Sequence, residues 1–272
     1  MVDLQAQAQP TMTTHAEQGP QRAPRTQGLS TAAALWLAFA VLGWAGLAWL
    51  AFDMDHSLAQ LTMPTSPQWS AANLLAIVAM WAVMMAAMML PSALPMVQAF
   101  VALCRRNGQR ARSRQFVGAY LLVWLVFSVA ATAAQWLLQA VGWVNPMIVS
   151  TSAMLSCALL LVAGAYQFSP LKRICLARCR TPMGFLVGEW RGGRFGGLAM
   201  GWRHGLFCLG CCWALMALLF VGGVMNLAWI VALSIVVAVE KLAPRGDRVA
   251  TLLGLALLGA GTWRLAPLLL PG

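Results

Sequence analysis

The sequence predicts an all-α membrane protein: a bundle of about seven transmembrane helices with its N-terminus in the cytoplasm. Three observations carry that prediction. Hydrophobic residues make up 61% of the 272, charged residues only 9%, and the mean hydropathy is +0.74. A soluble domain is roughly a quarter charged, so this chain has too few charges to dress a surface facing water. The apolar stretches are continuous rather than alternating, and several reach the ~20 residues that cross about 30 Å of hydrocarbon. Helices satisfy their own backbone hydrogen bonds there, which excludes a barrel for runs of this pattern. Finally, the basic residues lie in short loops between the apolar runs.

Residues 1–28, rich in Gln, Thr, Ala and Pro, have no apolar periodicity and read as a disordered cytoplasmic tail. The tail is too polar to open a signal peptide. The apolar run that follows is too long for a signal core, so it reads as a retained first span. Residues 29–272 then form a single multi-span domain, with spans at about 31–52, 71–100, 116–139, 148–168, 197–221, 225–240 and 249–269. The second carries Pro91 and Pro95 and is expected to kink there, or to end near Leu90 and restart as an interfacial helix. The fifth and sixth are joined by the tight Gly222–Asn226 segment and form a helical hairpin. Gly164 and Ala165 in the fourth are small enough for close helix packing.

Orientation follows from Lys and Arg. The net charge of +11 does not mark a nucleic-acid surface, because no soluble face gathers it. Arg22 and Arg25 precede the first span, and five arginines from Arg105 to Arg114 follow the second. Seven more basic residues, Lys172 to Arg203, surround a basic, Cys-containing loop at 169–196, and Lys241, Arg245 and Arg248 follow the sixth span. With seven spans, 17 of the 18 fall on one side, Arg264 excepted. Asp53 and Asp55 fall in the opposite loop. The chain therefore reads as a multi-pass protein of a bacterial inner membrane, its C-terminus periplasmic.

Four clusters bear on chemistry. Met80, Met84, Met85, Met88 and Met89 stripe the second span, with Met80, Met84 and Met88 on one face. Thioethers suit Cu(I), and methionine also serves as a flexible packing residue. Cys175 and Cys179, if helical, lie one turn apart in the basic loop. They are free thiols in a reducing cytoplasm, available to metal or simply half-buried. In the fifth span His204, Cys208, Cys211, Cys212 and Met216 share a helical face that Met200 extends. Every soft ligand type is present, although cysteine also packs readily in apolar bundles. Cys175 and Cys179 are the expected partners from elsewhere in the chain. The fourth cluster, Asp53, Met54, Asp55, His56 and Met63, lies in the opposite loop, where it could meet an incoming cation or be plain solvated chain. Glu240 and Lys241 end the sixth span, where an ion pair or snorkelling accounts for both.

Four segments resemble a bacterial family of predicted metal-binding integral membrane proteins, a family of unknown function some of whose members are described as copper chaperones. They are Trp81 with Met84–Ser92; Gly164–Gln167 with Pro170–Lys172, Cys175, Cys179-Arg180 and Pro182; Cys208 with Gly210–Trp213 and Leu215-Met216; and Gly223–Asn226 with Trp229 and Glu240-Lys241. The similarity runs from about residue 35 to 265. It implies a multi-span, metal-binding membrane protein.

The expectation is therefore a protein that handles Cu(I) through Cys, Met and His, delivering it to a membrane or periplasmic partner or moving it across the bilayer. Two alternatives stay open: a membrane thiol–disulfide oxidoreductase using Cys208 and Cys211, and an assembly subunit whose sulfurs only pack. No Ser-His-Asp set, paired intramembrane carboxylates or Gly-rich phosphate loop speaks for a hydrolase or a nucleotide-driven pump. There is no nucleotide, flavin or haem signature either.

Overall fold

In the computed structural model, residues 31–66 and 68–269 are described; the expected tail at 1–28 lies outside them. Eleven helices follow in order: α1 Thr31–Phe52, α2 Ser57–Thr62, α3 Ala71–Arg106, α4 Arg110–Ala140, α5 Ala153–Gln167, α6 Pro170–Arg180, α7 Pro182–Gly188, α8 Gly196–Ala217, α9 Leu219–Gly222, α10 Leu227–Leu242 and α11 Gly246–Leu269. Among the described residues there is no strand, only an isolated bridge between Val144 and Ser150.

Among the described residues five helical stretches are long and apolar enough to cross a membrane: α1, α3, α4, α8 continued by α9, and α11. The pair α5–α6, bent by 65°, makes a sixth if taken as one span. The fourth and sixth expected spans differ from the sequence reading. α5 begins at Ala153 rather than at 148. Asn145 draws the backbone N–H of Val149 onto its side chain at 2.9 Å, Ile148 takes a positive φ of 61°, and Ser152 caps the helix. The 15 residues of α5 and the 16 of α10 span about 23 and 24 Å at 1.5 Å per residue, short of a full hydrocarbon core.

The two prolines of α3 do not end it. The helix continues to Arg106, and side-chain donors reach two carbonyls next to Pro91: Trp36 Nε1 donates to Leu90 O at 2.8 Å and Ser92 Oγ to Met89 O at 3.0 Å. Large apolar side chains cover the outside of the bundle, Leu35, Phe52, Leu75 and Trp263 among them. α3 and α8 are the most buried spans, while α1 and α11 lie at the periphery. α3 packs against α1, α4 and α10, and α5 packs against α11. There a Cβ on Gly164 would stand 2.9 Å from Leu258.

The closest seam runs between α4 and α8. Gly197, Gly201 and Gly205 recur every four residues along one face of α8. A methyl group at Gly197 or Gly201 would overlap the backbone of Arg112 or Phe116, and one at Gly205 would come within 2.8 Å of Val123. This is the small-residue spacing by which membrane helices bring their backbones together. Backbone atoms cannot yield as a flexible side chain does. Gly201→Ala is therefore expected to destabilise the detergent-solubilised protein by about 1–3 kcal/mol, the usual cost of overpacking. Gly118→Ala, in α4 with nothing within 4 Å of its added Cβ, is expected to be neutral or to stabilise by up to ~1 kcal/mol. Thermal melts of the two variants check the contrast.

Candidate metal site

The face of α8 predicted from helical spacing is buried along its length: Met200, His204, Cys208, Cys211, Cys212 and Met216 all point into the bundle. α6 lies across it. Ser169 caps α6 and Pro170 opens it, a local sequence that starts a new helix immediately after α5 ends. Cys175 then rests against Gly210, where an added Cβ would meet its sulfur at 2.7 Å. One turn on, Cys179 brings its Sγ to 4.0 Å from Cys211 Sγ. The two cysteine segments, distant in the sequence, thus meet.

The three cysteines of α8 are treated differently by their neighbours. Cys211 and Cys212 each donate their S–H to the Cys208 carbonyl, at 3.1 and 3.0 Å. The Cys208 sulfur instead lies 3.1 Å from Lys241 Nζ and 3.3 Å from the Tyr120 hydroxyl. An ammonium can only donate, and with the hydroxyl donating as well the arrangement suits an anion. Cys212 Sγ lies 3.9 Å from Met89 Sδ, so α3 contributes a thioether to the cluster. Met84, Met85 and Met88 are buried elsewhere around α3, and Met216 a turn beyond Cys212.

His204 is clamped between rings. It stacks on Phe116 and Tyr120, with centroids 5.8 and 5.6 Å away, and meets the edge of Phe185 at 5.4 Å. Among the described residues neither of its ring nitrogens has a hydrogen-bond partner. Such a buried orphan is rare and asks for an explanation. Between α1 and α2 His56 Nδ1 caps α2 by accepting from the Leu58 N–H, and its ring packs on Trp49. That loop is occupied by local structure. Among the described residues no three His, Cys, Asp or Glu side chains form a group able to hold a metal ion. The sulfurs meet in pairs.

For Glu240 and Lys241 the snorkelling alternative fails, while an ion pair does form at Glu240, with Lys172. Both are buried, so neither snorkels to an interface. Glu240 Oε2 accepts from Lys172 Nζ at 2.7 Å, with the side chains 1% and 2% exposed. Lys241 turns to the sulfurs. Tyr120 was also missed, although a signal was present. The chain has two tyrosines, and both reach the cysteine stretch: Tyr120 at Cys208, and Tyr166 donating to Gly210 O at 2.5 Å.

The Lys172–Glu240 pair ties α6 to α10 beside this cluster. Removing one partner strands the other charge, at a cost of about 3–5 kcal/mol. Lys172→Met and Glu240→Met are each expected to lower detergent stability by that order. The double variant Lys172→Met/Glu240→Met is expected to recover most of the loss, as a double-mutant cycle of thermal melts would read.

Residues 78–264 match a family model described as Copper chaperone. No curated protein and no solved structure matches the chain.

Proposed function

The chain belongs to the copper chaperone family, and from that membership we propose that it carries Cu(I) as cargo within a bacterial inner membrane. The observation that supports this reading most is the pairing of Cys179 with Cys211. Two sulfurs bonded to one ion at about 2.3 Å each lie about 3.8 Å apart at a tetrahedral angle and about 4.6 Å apart when linear. The 4.0 Å separation of this pair lies between the two. A site of two thiolates suits a soft, monovalent ion that must later leave.

In this reading Cys179 and Cys211 receive the ion, with Cys208 within the same cluster as the alternative thiolate and Cys175 behind it. Cys212 and Met89 form the next thiol–thioether step. His204, with its unpartnered nitrogens, supplies a further lone pair one turn along α8. Met84, Met85, Met88 and Met216 line the neighbouring core with thioethers. Exchange between ligands of similar softness lets the ion move without being trapped. The receiver is a copper-requiring membrane or periplasmic protein.

The reading includes seven spans, with α10 crossing despite its length and the bilayer thinning to meet it. Seven crossings place the basic loops in the cytoplasm and the C-terminus in the periplasm. Alkaline phosphatase fused after Gly272 is then expected to be active. A fluorescent C-terminal green protein together with an inactive phosphatase fusion would overturn the odd span count.

Metal content tests the function. Protein purified in detergent without oxygen and loaded with Cu(I) is expected to hold about one ion per chain, in a site of soft ligands. Cys179→Ser/Cys211→Ser and Cys208→Ser/Cys211→Ser/Cys212→Ser are expected to hold none. Absence of copper from the wild type would overturn the reading. Thiol labelling that found Cys208 and Cys211 cycling between oxidised and reduced forms in cells would favour the oxidoreductase instead.

A further inference from the structure

Lys241 lies outside every ligand set suggested by the sequence, and its surroundings are unusual for a buried ammonium. It is 6% exposed, and its Nζ reaches Cys208 Sγ at 3.1 Å, Ser92 Oγ at 3.3 Å and Met89 Sδ at 3.6 Å. Three acceptors meet three N–H donors. None of them is a carboxylate. Glu240, its neighbour in the chain, is already engaged by Lys172 at 2.7 Å, and among the described residues Lys241 forms no ion pair. A cation held inside a membrane bundle without a counter-charge is costly, which is why intramembrane charges pair. The group in reach that can carry a negative charge is the Cys208 sulfur, onto which Tyr120 also converges.

We propose that Lys241 is a fixed counter-charge that makes the sulfur cluster selective for a monovalent soft cation over a divalent one. The proposal rests on the Cu(I) reading above and adds to it the determinant of metal choice. When Cys208, ionised beside the ammonium, is one of two thiolates on the ion and the second thiol gives up its proton on binding, one monovalent ion and the two thiolates carry a net charge of −1. The ammonium beside Cys208 brings that total to zero. A divalent ion with the same two thiolates is neutral by itself, and the ammonium then leaves the buried site at +1. No oxidation or reduction is involved. Lys241 acts here as a positioning and charge-balancing residue, and not as a ligand.

The test uses the full-length chain in detergent, with Cu(I) and Zn(II) competed separately against chromophoric chelators of known affinity. One unit charge about 5 Å away in a protein-like dielectric corresponds to a preference of about a hundredfold. Lys241→Met is expected to lose about that much of the Cu(I)-over-Zn(II) preference, while Lys241→Arg keeps most of it. Lys241→Gln, which retains hydrogen bonding without charge, gives the same readout if the methionine variant folds poorly, and a thermal melt of each variant monitors folding. An unchanged preference in the neutral variants, or an equal loss of both metals, overturns this proposal while leaving the copper reading intact. A wild type that binds no Cu(I) overturns both.

Discussion

The close approach of α4 to α8 is the constraint on which the rest of the site depends. Gly197 and Gly201 carry no side chain where α8 meets α4, so Arg112 and Phe116 present backbone directly to α8 there. At that separation a phenol of ordinary length reaches across: Tyr120 both stacks on His204 and touches the Cys208 sulfur. A wider seam would leave the ring short of the sulfur. The glycines therefore set the distance at which the polar edge of one helix meets the sulfur face of the other.

A second constraint is electrostatic. Three charged side chains, Lys172, Glu240 and Lys241, are buried together where α6 and α10 flank α8. Two of them cancel. The third leaves a positive charge facing sulfur, and the surrounding helices offer it a hydroxyl, a thioether and a thiol. Such an arrangement costs folding energy that apolar replacements would not, which makes it informative about function in a way that a surface pair is not.

Much of this was legible in the sequence, and the remainder was not for identifiable reasons. Helical class followed from uninterrupted apolar runs. The shared face of His204, Cys208, Cys211 and Cys212 followed from the helical period alone, as did the common face of Cys175 and Cys179. Their meeting with α8 could be named only as an expectation, because it depends on the bend after α5. The glycine repeat on α8 was visible yet masked by the more conspicuous cysteines. Lys241 could not be read correctly: a lysine closing an apolar run satisfies a snorkelling rule, and only the placement of α10 against α3 turns it inward. Of the methionine stripe, Met89 brings its sulfur to 3.9 Å from that of Cys212. The prolines of α3 suggested a kink or an end near Leu90, and the helix runs past both to Arg106.

The bend between α5 and α6 has a further consequence. It lays an 11-residue helix across α8 and α10, fastened along its whole length. Lys172 grips Glu240 near one end, Cys179 meets Cys211 near the other, and Arg180 binds the Ala243 and Pro244 carbonyls and Asp247. These attachments sit on one helix and hold it near both ends. The thiols of Cys175 and Cys179 are accordingly presented to α8 from a support that is fastened independently of any sulfur contact.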